Sequence, residues 1–350
     1  MMVGIHKSGY AKRSKYLKRY EAVLDYNGIK NVSLDASEPG FWQQVSQLGL
    51  FIYRWGHNDY DHQMALTVIP IAENIMGVKC FPNMATCWCY DDKIKEYFLL
   101  RQKDFPVIQS WVFWEKNLAF KWLETANLPV VFKLKGGAGS SNVVLVEDKA
   151  TAGRLIKRMF GRGIKSGKIP LRGAKVRKEF NLYRKACRWC GDICRKWKKE
   201  DISYVWQRHK NYIFFQKYLP NNDFDTRVVI VGDRAFAFRR FNREQDFRAS
   251  GSGMVDHNAD KIDLRCIESA FTVSKSFNFQ AMAYDFIFDE NRNPAIIEIS
   301  YACPDKNIFK CGGYWDSELN WHQGHYWPQY LHLVDALNLP DLKQPQISCE

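Results

Sequence analysis

The fold is decided by the stretch VVFKLKGGAGSSNVVLV at residues 130–146. Its two ends, 130–132 and 143–146, consist of β-branched and aromatic residues that favour strands. The middle is rich in glycine, whose backbone can approach an anion without side-chain obstruction. The glycines are Gly136, Gly137 and Gly139.

These glycines belong to a hairpin. A P-loop or a dinucleotide-binding fold runs from its glycines into a helix, and neither GxxxxGK[ST] nor GxGxxG occurs in the sequence. A strand follows the glycines here instead. The pattern therefore predicts a flap that closes over phosphates, with Lys133 just before it.

The composition is that of a globular protein with more than one subdomain. The chain has 350 residues, of which 46% are hydrophobic and 15% aromatic. It contains no run of about 18 apolar residues, and its basic N-terminus lacks the apolar core of a signal peptide. Ten cysteines without an even framework indicate reduced thiols. A cytoplasmic protein is expected.

The positive charge is concentrated in one region. Residues 154–210 hold 19 Lys and Arg against four acids, a net charge of +15 in a chain whose total is +13, so the remainder carries −2. The region 161–210 is predicted to be a basic helical insertion. The high isoelectric point therefore does not describe the body of the protein.

The order of the strand and helix patterns predicts an α+β chain of three domains. Residues 1–90 form an N-terminal α/β domain with a buried strand at 48–56, and residues 91–215 form a small central sheet that includes the flap. Residues 216–350 form an antiparallel sheet with helices, including a hairpin that turns at Gly232.

Two carboxylates lie within apolar strands of the last predicted hairpin. Asp285 is in AYDFIF and Glu298 in AIIEIS, where an unpaired charge is costly. Paired strands bring such residues close together, and oxygen ligands suit magnesium. The alternative is that one or both carboxylates form salt bridges to arginines of the sheet.

The order of motifs along the chain resembles the ATP-grasp enzymes. The motifs are Lys93, Lys133 with the glycine loop, QKYL at 216–219, DTR at 225–227, FRR at 238–240, FRASGSG at 247–253, Asp285 and EIS at 298–300. The chain is most similar to the branch of glutathione synthetase and the RimK-type ligases, over residues 48–339. The resemblance implies an N-terminal domain followed by an ATP-grasp lid and a C-terminal sheet, with ATP between two sheets and Mg²⁺ as the metal.

The resemblance also implies roles for individual residues. The residues expected to contact ATP are Lys93, Lys133, Lys135, Gly136, Gly137, Ala138, Gly139, Ser140, Gln216, Lys217, Tyr218 and Leu219. Asp225 is expected to bind the ribose. The catalytic arginines are Arg227, Arg239 or Arg240, and Arg248; the metal ligands are Asp285, Glu298 and Ser300. Sequence parity does not choose between Arg239 and Arg240. Arg54, His57 and Ser250 are expected to contact the acceptor substrate.

Two positions depart from the family pattern. Ser300 stands where the family has an asparagine metal ligand, and Ser250 replaces the asparagine of FRxN. A serine hydroxyl is a shorter and weaker ligand. These changes put the metal affinity and the number of bound ions in question.

The basic insertion leaves several functions open. Cys187, Cys190 and Cys194 fall on one helical stripe with Trp197, opposite a polybasic face. A zinc site is one alternative, and a small-residue packing stripe is another. The basic face is either a solvated surface, a contact with an anionic membrane at its inner face, an anionic-glycan site or, least favoured, a nucleic-acid site.

The resemblance implies an ATP-dependent carboxylate-amine ligase that works through an acyl phosphate. An amino acid joined to a uronic acid of a surface polysaccharide or its precursor is one expected product, and a RimK-type amino-acid or peptide ligase is the close alternative. A kinase-like phosphoryl transferase is a second alternative. A third is a non-catalytic basic protein, with a degenerate ATP site, that binds nucleic acid or a lipid surface.

Overall fold

The computed structural model describes residues 1–7, 14–137, 142–166, 207–243, 247–249 and 253–349. Most of the basic insertion, with its cysteines, lies outside these ranges. The same holds for four predicted site residues, Ala138, Gly139, Ser140 and Ser250. The chain forms two compact units: a larger one of Met1–Gly56, Asp61–Val107 and Asn221–Glu350, and a smaller one of His57–Tyr60 and Ile108–Pro220.

The larger unit begins with a parallel sheet of strand order β2-β1-β3-β4. Its strands are β1 (Val3–His6), β2 (Asn31–Leu34), β3 (Leu50–Ile52) and β4 (Cys80–Phe81). Helix α1 (Lys15–Tyr26) connects β1 to β2 and buries Leu17, Tyr20, Val23 and Leu24. The helices that follow are α2 (Phe41–Val45), α3 (Asp59–Pro70) with a π-helical turn at Ile71–Ile75, α4 (Met84–Cys87) and α5 (Lys93–Arg101).

In the smaller unit the described strands form a four-stranded sheet of order β5-β10-β6-β7. They are β5 (Ser110–Phe113), β6 (Val130–Phe132), β7 (Val144–Val146) and β10 (Ile213–Lys217), and β8 (Ile164–Lys165) pairs separately with β9 (Arg208–His209). Helices α6 (Lys116–Thr125) and α7 (Lys149–Met159) belong to the same unit. Strands β6 and β7 are antiparallel, which confirms the predicted hairpin around the glycine loop.

The larger unit also holds a mainly antiparallel sheet of order β15-β14-β11-β12-β16-β17, with β13 paired to β12. Its strands are β11 (Phe224–Val231), β12 (Arg234–Phe241), β13 (Val255–Asp256), β14 (Ala281–Phe288), β15 (Pro294–Ser300), β16 (Gly313–Trp315) and β17 (Trp321–Gln323). Its helices are α8 (Leu264–Phe277), α9 (Asp305–Phe309) and α10 (Pro328–Leu337). Gly232 has a φ of 56°, as the predicted two-residue turn between β11 and β12 requires.

Both faces of this antiparallel sheet are buried, and residues alternate between them. Val228 and Ile230 pack on one face with residues of β3 and α8, whereas Val229 and Val231 pack on the other with residues of α1 and α10. This shared core explains why residues 1–56 and 61–107 cluster with the C-terminal sheet. The predicted boundary at residues 90 and 91 therefore does not separate two compact units.

A further detail differs from the sequence-based expectation. Strand β10 contains Gln216 and pairs with β5 and β6, so the predicted boundary between 215 and 216 falls inside a strand. The N-cap of α5 is Asp92, whose carboxylate accepts from Ile94 N–H and Lys95 N–H. No helix in the described ranges is both long and apolar enough to span a membrane.

Candidate active site

In the smaller unit, Lys133 lies at the end of β6, immediately before the glycine loop. Its ammonium donates to Gln216 Oε1 on the adjacent strand β10 at 2.6 Å, and Gln216 Nε2 donates to Ser110 Oγ at 3.3 Å. Lys133 and Gln216 are both buried. Two residues predicted to contact ATP are therefore in direct contact in this unit.

A second chain of contacts holds the start of the glycine loop. The backbone N–H of Lys135 donates to the Tyr212 hydroxyl at 2.9 Å, and this hydroxyl lies 2.9 Å from Nδ1 of buried His209. His209 Nε2 lies 2.8 Å from Ser166 Oγ, so described residues from the two ends of the basic insertion are in contact. Gly137 has a φ of 108°, a conformation that favours glycine.

The remaining residues of QKYL lie at the end of β10. The side chain of Lys217, the last residue of the strand, is exposed, and the backbone N–H of Lys217 donates to Gln109 C=O at 2.8 Å. Tyr218 is half-buried and Leu219 is buried. Their contact with adenine stays a prediction.

In the larger unit, four charged residues of three adjacent strands form one network. Arg227 donates to both oxygens of Asp285, at 2.6 and 2.7 Å. Arg240 donates to both oxygens of Asp225 at 2.7 and 2.6 Å, and also to Asp285 Oδ2 at 2.7 Å. Asp225, Asp285 and Arg240 are buried, so these bonds form in a poorly solvated environment.

The network sets the charge state of its acids. Burial acts to raise the pKa of Asp285, but Arg227 and Arg240 outweigh it and hold this pKa well below its usual range. Burial and the nearby Asp285 charge raise the pKa of Asp225 to about 6. Both oxygens of Asp225 are taken by Arg240. Asp225 therefore holds Arg240 in this structure, and its contact with the ribose stays a prediction.

The structure also separates Arg239 from Arg240. Arg240 lies on the face with Asp225 and Asp285, whereas Arg239 points to the opposite face, donates to Asp256 Oδ2 at 2.5 Å and lies over the ring of Phe224 at 4.9 Å. Alternation along β12 requires this difference. Arg240 is therefore the arginine that faces the acids of the candidate site.

At the edge strand β15, Lys93 of α5 reaches Glu298. The Lys93 Nζ to Glu298 Oε1 distance is 3.1 Å, and Glu96, one helical turn further on, accepts from Ile299 N–H through Oε2 at 3.1 Å. Burial acts to lower the pKa of Lys93, but Glu298 and Glu96 raise it overall. Burial raises the pKa of Glu96 well above its usual range.

The carboxylate oxygens of Asp285 and Glu298 suit a magnesium ion, but they can bind it only when a further anion offsets the positive charges already beside them. Asp285 and Glu298 are directly opposite in the ladder of β14 and β15, so both project from one face and offer carboxylate oxygens. Asp285 already binds two arginines and Glu298 binds Lys93. A divalent cation therefore needs a polyanion such as a triphosphate beside it. Within the described ranges, no cluster of three or more His, Cys, Asp or Glu suited to a metal occurs.

Ser300 lies on the same strand face as Glu298, two residues on. Its hydroxyl contacts its own chain, with Ser300 Oγ 3.4 Å from Ala302 C=O and 3.3 Å from Ala302 N. Its role as a metal ligand stays a prediction. Arg248 is half-buried in the segment 247–249, where its carbonyl accepts from Arg243 N–H.

Arg54 lies two residues after the end of strand β3, next to Tyr53. The guanidinium lies over the ring of Tyr16 at 3.6 Å, and Nη2 donates to Cys303 C=O at 3.3 Å. His57 is exposed and belongs to the smaller unit, so the two predicted acceptor residues are in different units.

Sequence reasoning missed two residues that make direct contacts here. Glu96 lies three residues after Lys93, a spacing that places both side chains on one helical face. Tyr16 lies in a polar N-terminal stretch for which the sequence analysis predicts no helix, although Leu17, Tyr20 and Leu24 follow a helical period there.

Comparisons with known proteins support the fold. No protein-family model matches the sequence, and sequence comparison with curated proteins gives no significant match. Among solved structures, the N5-carboxyaminoimidazole ribonucleotide synthetase from Thermotoga maritima superposes with a TM-score of 0.58 at 12% identity, over 100% of this chain and 77% of that protein. Biotin carboxylase from Campylobacter jejuni, in a β,γ-ATP complex, gives 0.57 at 12% identity, over 96% and 70%.

A third match is the D-alanine–D-alanine ligase from Bacillus anthracis in complex with ATP, with a TM-score of 0.52 at 12% identity over 86% of each chain. At such low identity these matches establish the fold. The predicted α+β class is thereby confirmed, and the chain has the ATP-grasp fold.

Proposed function

We propose that this protein is an ATP-dependent ligase that joins a carboxylate to an amine. The observation that carries the proposal is the charged network on one face of the antiparallel sheet, with Lys93 and Glu298 at its edge, in a chain with the ATP-grasp fold. Buried charges carry a desolvation cost even when they are paired, and clusters of them occur preferentially at functional sites. Two of the structural neighbours were solved with ATP or a β,γ-ATP complex, which supports a nucleotide as the energy source.

The reaction has two steps. A carboxylate oxygen of the acceptor attacks the γ-phosphorus of ATP, the bond to the bridging oxygen breaks, and ADP leaves. The amine nitrogen then attacks the carbonyl carbon of the acyl phosphate, phosphate leaves, and the nitrogen loses a proton to give the amide. Both steps build negative charge on phosphoryl oxygens, so fixed positive charges are the main requirement.

In the larger unit, Arg240 and Arg227 are placed to supply that charge. Their carboxylate partners fix both guanidinium planes before any substrate binds, and a fixed fork loses little entropy on binding a phosphoryl group. Mg²⁺, held by Glu298 and Asp285 together with phosphate oxygens, would neutralise the phosphoryl oxygens further. Lys93 would then exchange Glu298 for a phosphate.

In the smaller unit, Lys133 and the backbone of the glycine loop are the proposed phosphate ligands. Gln216 orients the Lys133 ammonium through a 2.6 Å hydrogen bond. Tyr212 fixes Lys135 at the start of the loop. Lysine suits this place because it is a mobile point charge.

The acceptor and the amine are proposed only as classes. An amino acid or peptide acceptor fits a carboxylate-amine ligase directly. The finer expectation of a uronic acid of a polysaccharide, and that of contact with an anionic membrane, depend on the basic insertion, most of which lies outside the described residues.

The test is mass spectrometry of the products after incubation with ATP, Mg²⁺, an amino-acid mixture and candidate uronic acids. A ligase yields ADP, phosphate and a new amide. A phosphorylated acceptor that accumulates and stays stable after amines are added would support the kinase-like alternative. No MgATP binding in a thermal-shift assay would overturn the proposal and favour a non-catalytic binding protein.

Three variants make this test specific. Lys133→Ala and Glu298→Gln should both abolish ATP turnover, because each removes a proposed ligand of the triphosphate or its metal. Lys149→Ala is the matched control, since Lys149 is an exposed lysine of the same unit as Lys133 and its ammonium donates to Glu124 C=O. Unchanged turnover in Lys133→Ala or Glu298→Gln would show that the site is placed wrongly.

A further inference from the structure

Arg54 stands at the point where open parallel sheets usually bind ligands. In the strand order β2-β1-β3-β4, the connection from β1 runs to one side and the connection from β3 runs to the other, so β1 and β3 border the switch point. Ligands of such sheets bind in the crevice outside the carboxyl ends of these strands. Arg54 comes two residues after the end of β3.

The charge of Arg54 is not neutralised by any carboxylate in the described part of the chain. Its contacts there are the ring of Tyr16 and the carbonyl of Cys303. Burial acts to lower the Arg54 pKa, but the surrounding tyrosines and Cys303 raise it overall, so the guanidinium stays charged. Asp305, an acid close enough to affect the pKa of Tyr16, is taken by Arg19 at 2.8 Å and Gln329 at 2.7 Å.

A second feature of the same place also favours an anion. Tyr16 lies in the first turn of α1, a twelve-residue helix whose N-cap, Ser14, makes no side-chain capping bond and whose first turn has no acid. Among the described residues, no capping side chain offsets the positive end of this helix dipole. The guanidinium carbon of Arg54 lies 3.6 Å from the centre of the Tyr16 ring, so Arg54 contacts a side chain of the first turn of this helix.

Arg54 is hydrogen-bonded to the segment that follows strand β15, which contains Glu298. Cys303, whose carbonyl accepts from Arg54, comes three residues after Ser300 and five after Glu298. Tyr90 lies near both residues, since Arg54 acts to lower the Tyr90 pKa and Glu298 acts to raise it. Arg54 and Glu298 therefore border the same region of the larger unit.

The arginines of the sheet network and Arg54 differ in how their positive charges are neutralised. Arg227 and Arg240 each bind a carboxylate of the protein through two hydrogen bonds, whereas Arg54 has none in the described ranges. We propose, building on the ligase function above, that Arg54 binds a second anionic group of the acceptor, a carboxylate that does not react. The acceptor is then a compact diacid or an acidic amino-acid derivative.

The experiment uses hydroxylamine, which converts an acyl phosphate into a hydroxamate without the natural amine. The full-length protein is incubated with MgATP, hydroxylamine and either succinate, glutarate or N-acetylglutamate, each compared with its mono-amide. The expected result is at least about a tenfold higher kcat/KM for a diacid than for its mono-amide, the size of one charge-assisted contact. Equal values for both would overturn the inference.

Variants assign this preference to Arg54. In Arg54→Gln the diacid advantage should fall to about one through a higher KM for the diacid, and Arg54→Lys should keep part of the advantage. Arg265→Gln is the matched control, because Arg265 is an exposed arginine of the same unit, paired with Asp263 at the start of α8. A diacid advantage that survives in Arg54→Gln, with thermal melts showing a folded protein, would overturn the inference.

Failure of this inference is distinct from failure of the proposed function. If no acid yields a hydroxamate while MgATP still stabilises the protein against heat, the acceptor assignment is wrong and nucleotide binding stands. If MgATP does not bind, the ligase function itself falls.

Discussion

The ammonium of Lys93 lies 3.1 Å from Oε1 of Glu298, in a contact that joins helix α5 to the edge strand β15. The Lys93 side chain is 7% exposed and that of Glu298 is 35% exposed. In the proposed function, Lys93 binds a phosphate of ATP and Glu298 binds the metal ion. Under this proposal the ion pair keeps both side chains in place until Mg²⁺ and ATP bind and separate them.

The first prediction concerns this pair. Glu298→Gln should lower kcat by about 100-fold or more, since removing one preorganised electrostatic contact to the reacting group has an effect of this order. Lys93→Met should act mainly on the KM for MgATP. Steady-state ADP release measures both. Arg101→Gln, an exposed position on the same helix, is the control and should match the unmodified protein.

The second prediction concerns Glu96, which bonds to Ile299 N–H beside Glu298. Glu96→Ala leaves this buried N–H without its acceptor and should destabilise the protein by about 1–3 kcal/mol, with a raised KM for MgATP. Glu96→Gln retains an acceptor oxygen, and the raised pKa of Glu96 makes a neutral side chain a close substitute. Urea unfolding and ADP release compare the two variants. Equal losses in both would show that charge, and not the hydrogen bond, is what matters.

The third prediction is that Mg²⁺ does not bind alone. Asp225 and Asp285 are balanced by Arg227 and Arg240, and Glu298 by Lys93, so these groups together offer no excess negative charge to a free cation. Calorimetric titration with MgCl₂ should give no heat of binding. The same titration with a non-hydrolysable ATP analogue present should give saturable binding, which Glu298→Gln weakens. Saturable binding without nucleotide would contradict the charge balance described.

The fourth prediction separates Arg239 from Arg240. Arg240→Met should abolish activity and destabilise the protein by about 3–5 kcal/mol, because it leaves two buried carboxylates with one arginine between them. Arg239→Met removes an ion pair on the opposite sheet face and should retain activity. ADP release and urea unfolding measure both changes. An Arg239→Met protein that is inactive but stable would show that Arg239, and not Arg240, is the catalytic arginine.

Much of this fold is readable from local patterns. The strand hairpins around the glycine loop, at Gly232 and between β14 and β15 follow from β-branched runs broken by turn residues, and the structure has all three. The predicted domain boundary between residues 215 and 216 divides strand β10, because strand propensity does not carry information about the pairing partner. Its neighbours β5 and β6 are about 80 to 100 residues earlier in the chain.

The candidate site is predictable in its residue types and not in its contacts. Asp285 and Glu298 are identifiable as charges in apolar strands, but their partners come from β11, β12 and α5, which only the tertiary fold brings near. The bulge between Asp285 and Phe286 also defeats simple alternation along the strand. Glu96 is missed because a glutamate in a helix is ordinarily exposed.

The fifth prediction is a pH dependence of stability that two buried histidines control. Burial lowers the pKa of His332 to about 3 and that of His6 to about 4, from an ordinary value of 6.5. His332 Nδ1 lies 2.7 Å from the Tyr20 hydroxyl, and Nε2 of His6 accepts from Ala36 N–H at 3.2 Å. These contacts require at least one unprotonated nitrogen on His6, and burial disfavours the charged ring on both residues.

The sign follows from proton binding. Between the folded value and pH 6.5 the unfolded chain binds more protons, so the stability from each histidine is complete above pH 6.5 and is lost as the pH falls, by at most about 1.4 kcal/mol per pH unit. Asp225, whose pKa is raised to about 6, acts in the opposite direction between about pH 4 and 6. The contribution of one histidine is therefore measured by comparing the pH-dependent loss of stability in the unmodified protein with that in a variant without this histidine.

Urea unfolding of the unmodified protein and of His332→Gln should be compared at pH 7.5 and pH 5. The glutamine side chain of the variant cannot take up a proton, so the variant should lose less stability over this interval, by about 2 kcal/mol at most. His322→Gln is the control, since His322 is exposed and pairs with Asp316 at the sheet edge. If His332→Gln and the unmodified protein lose equal stability between these pH values, His332 is not buried in its neutral form, and the packing of α10 against α1 must differ from that described.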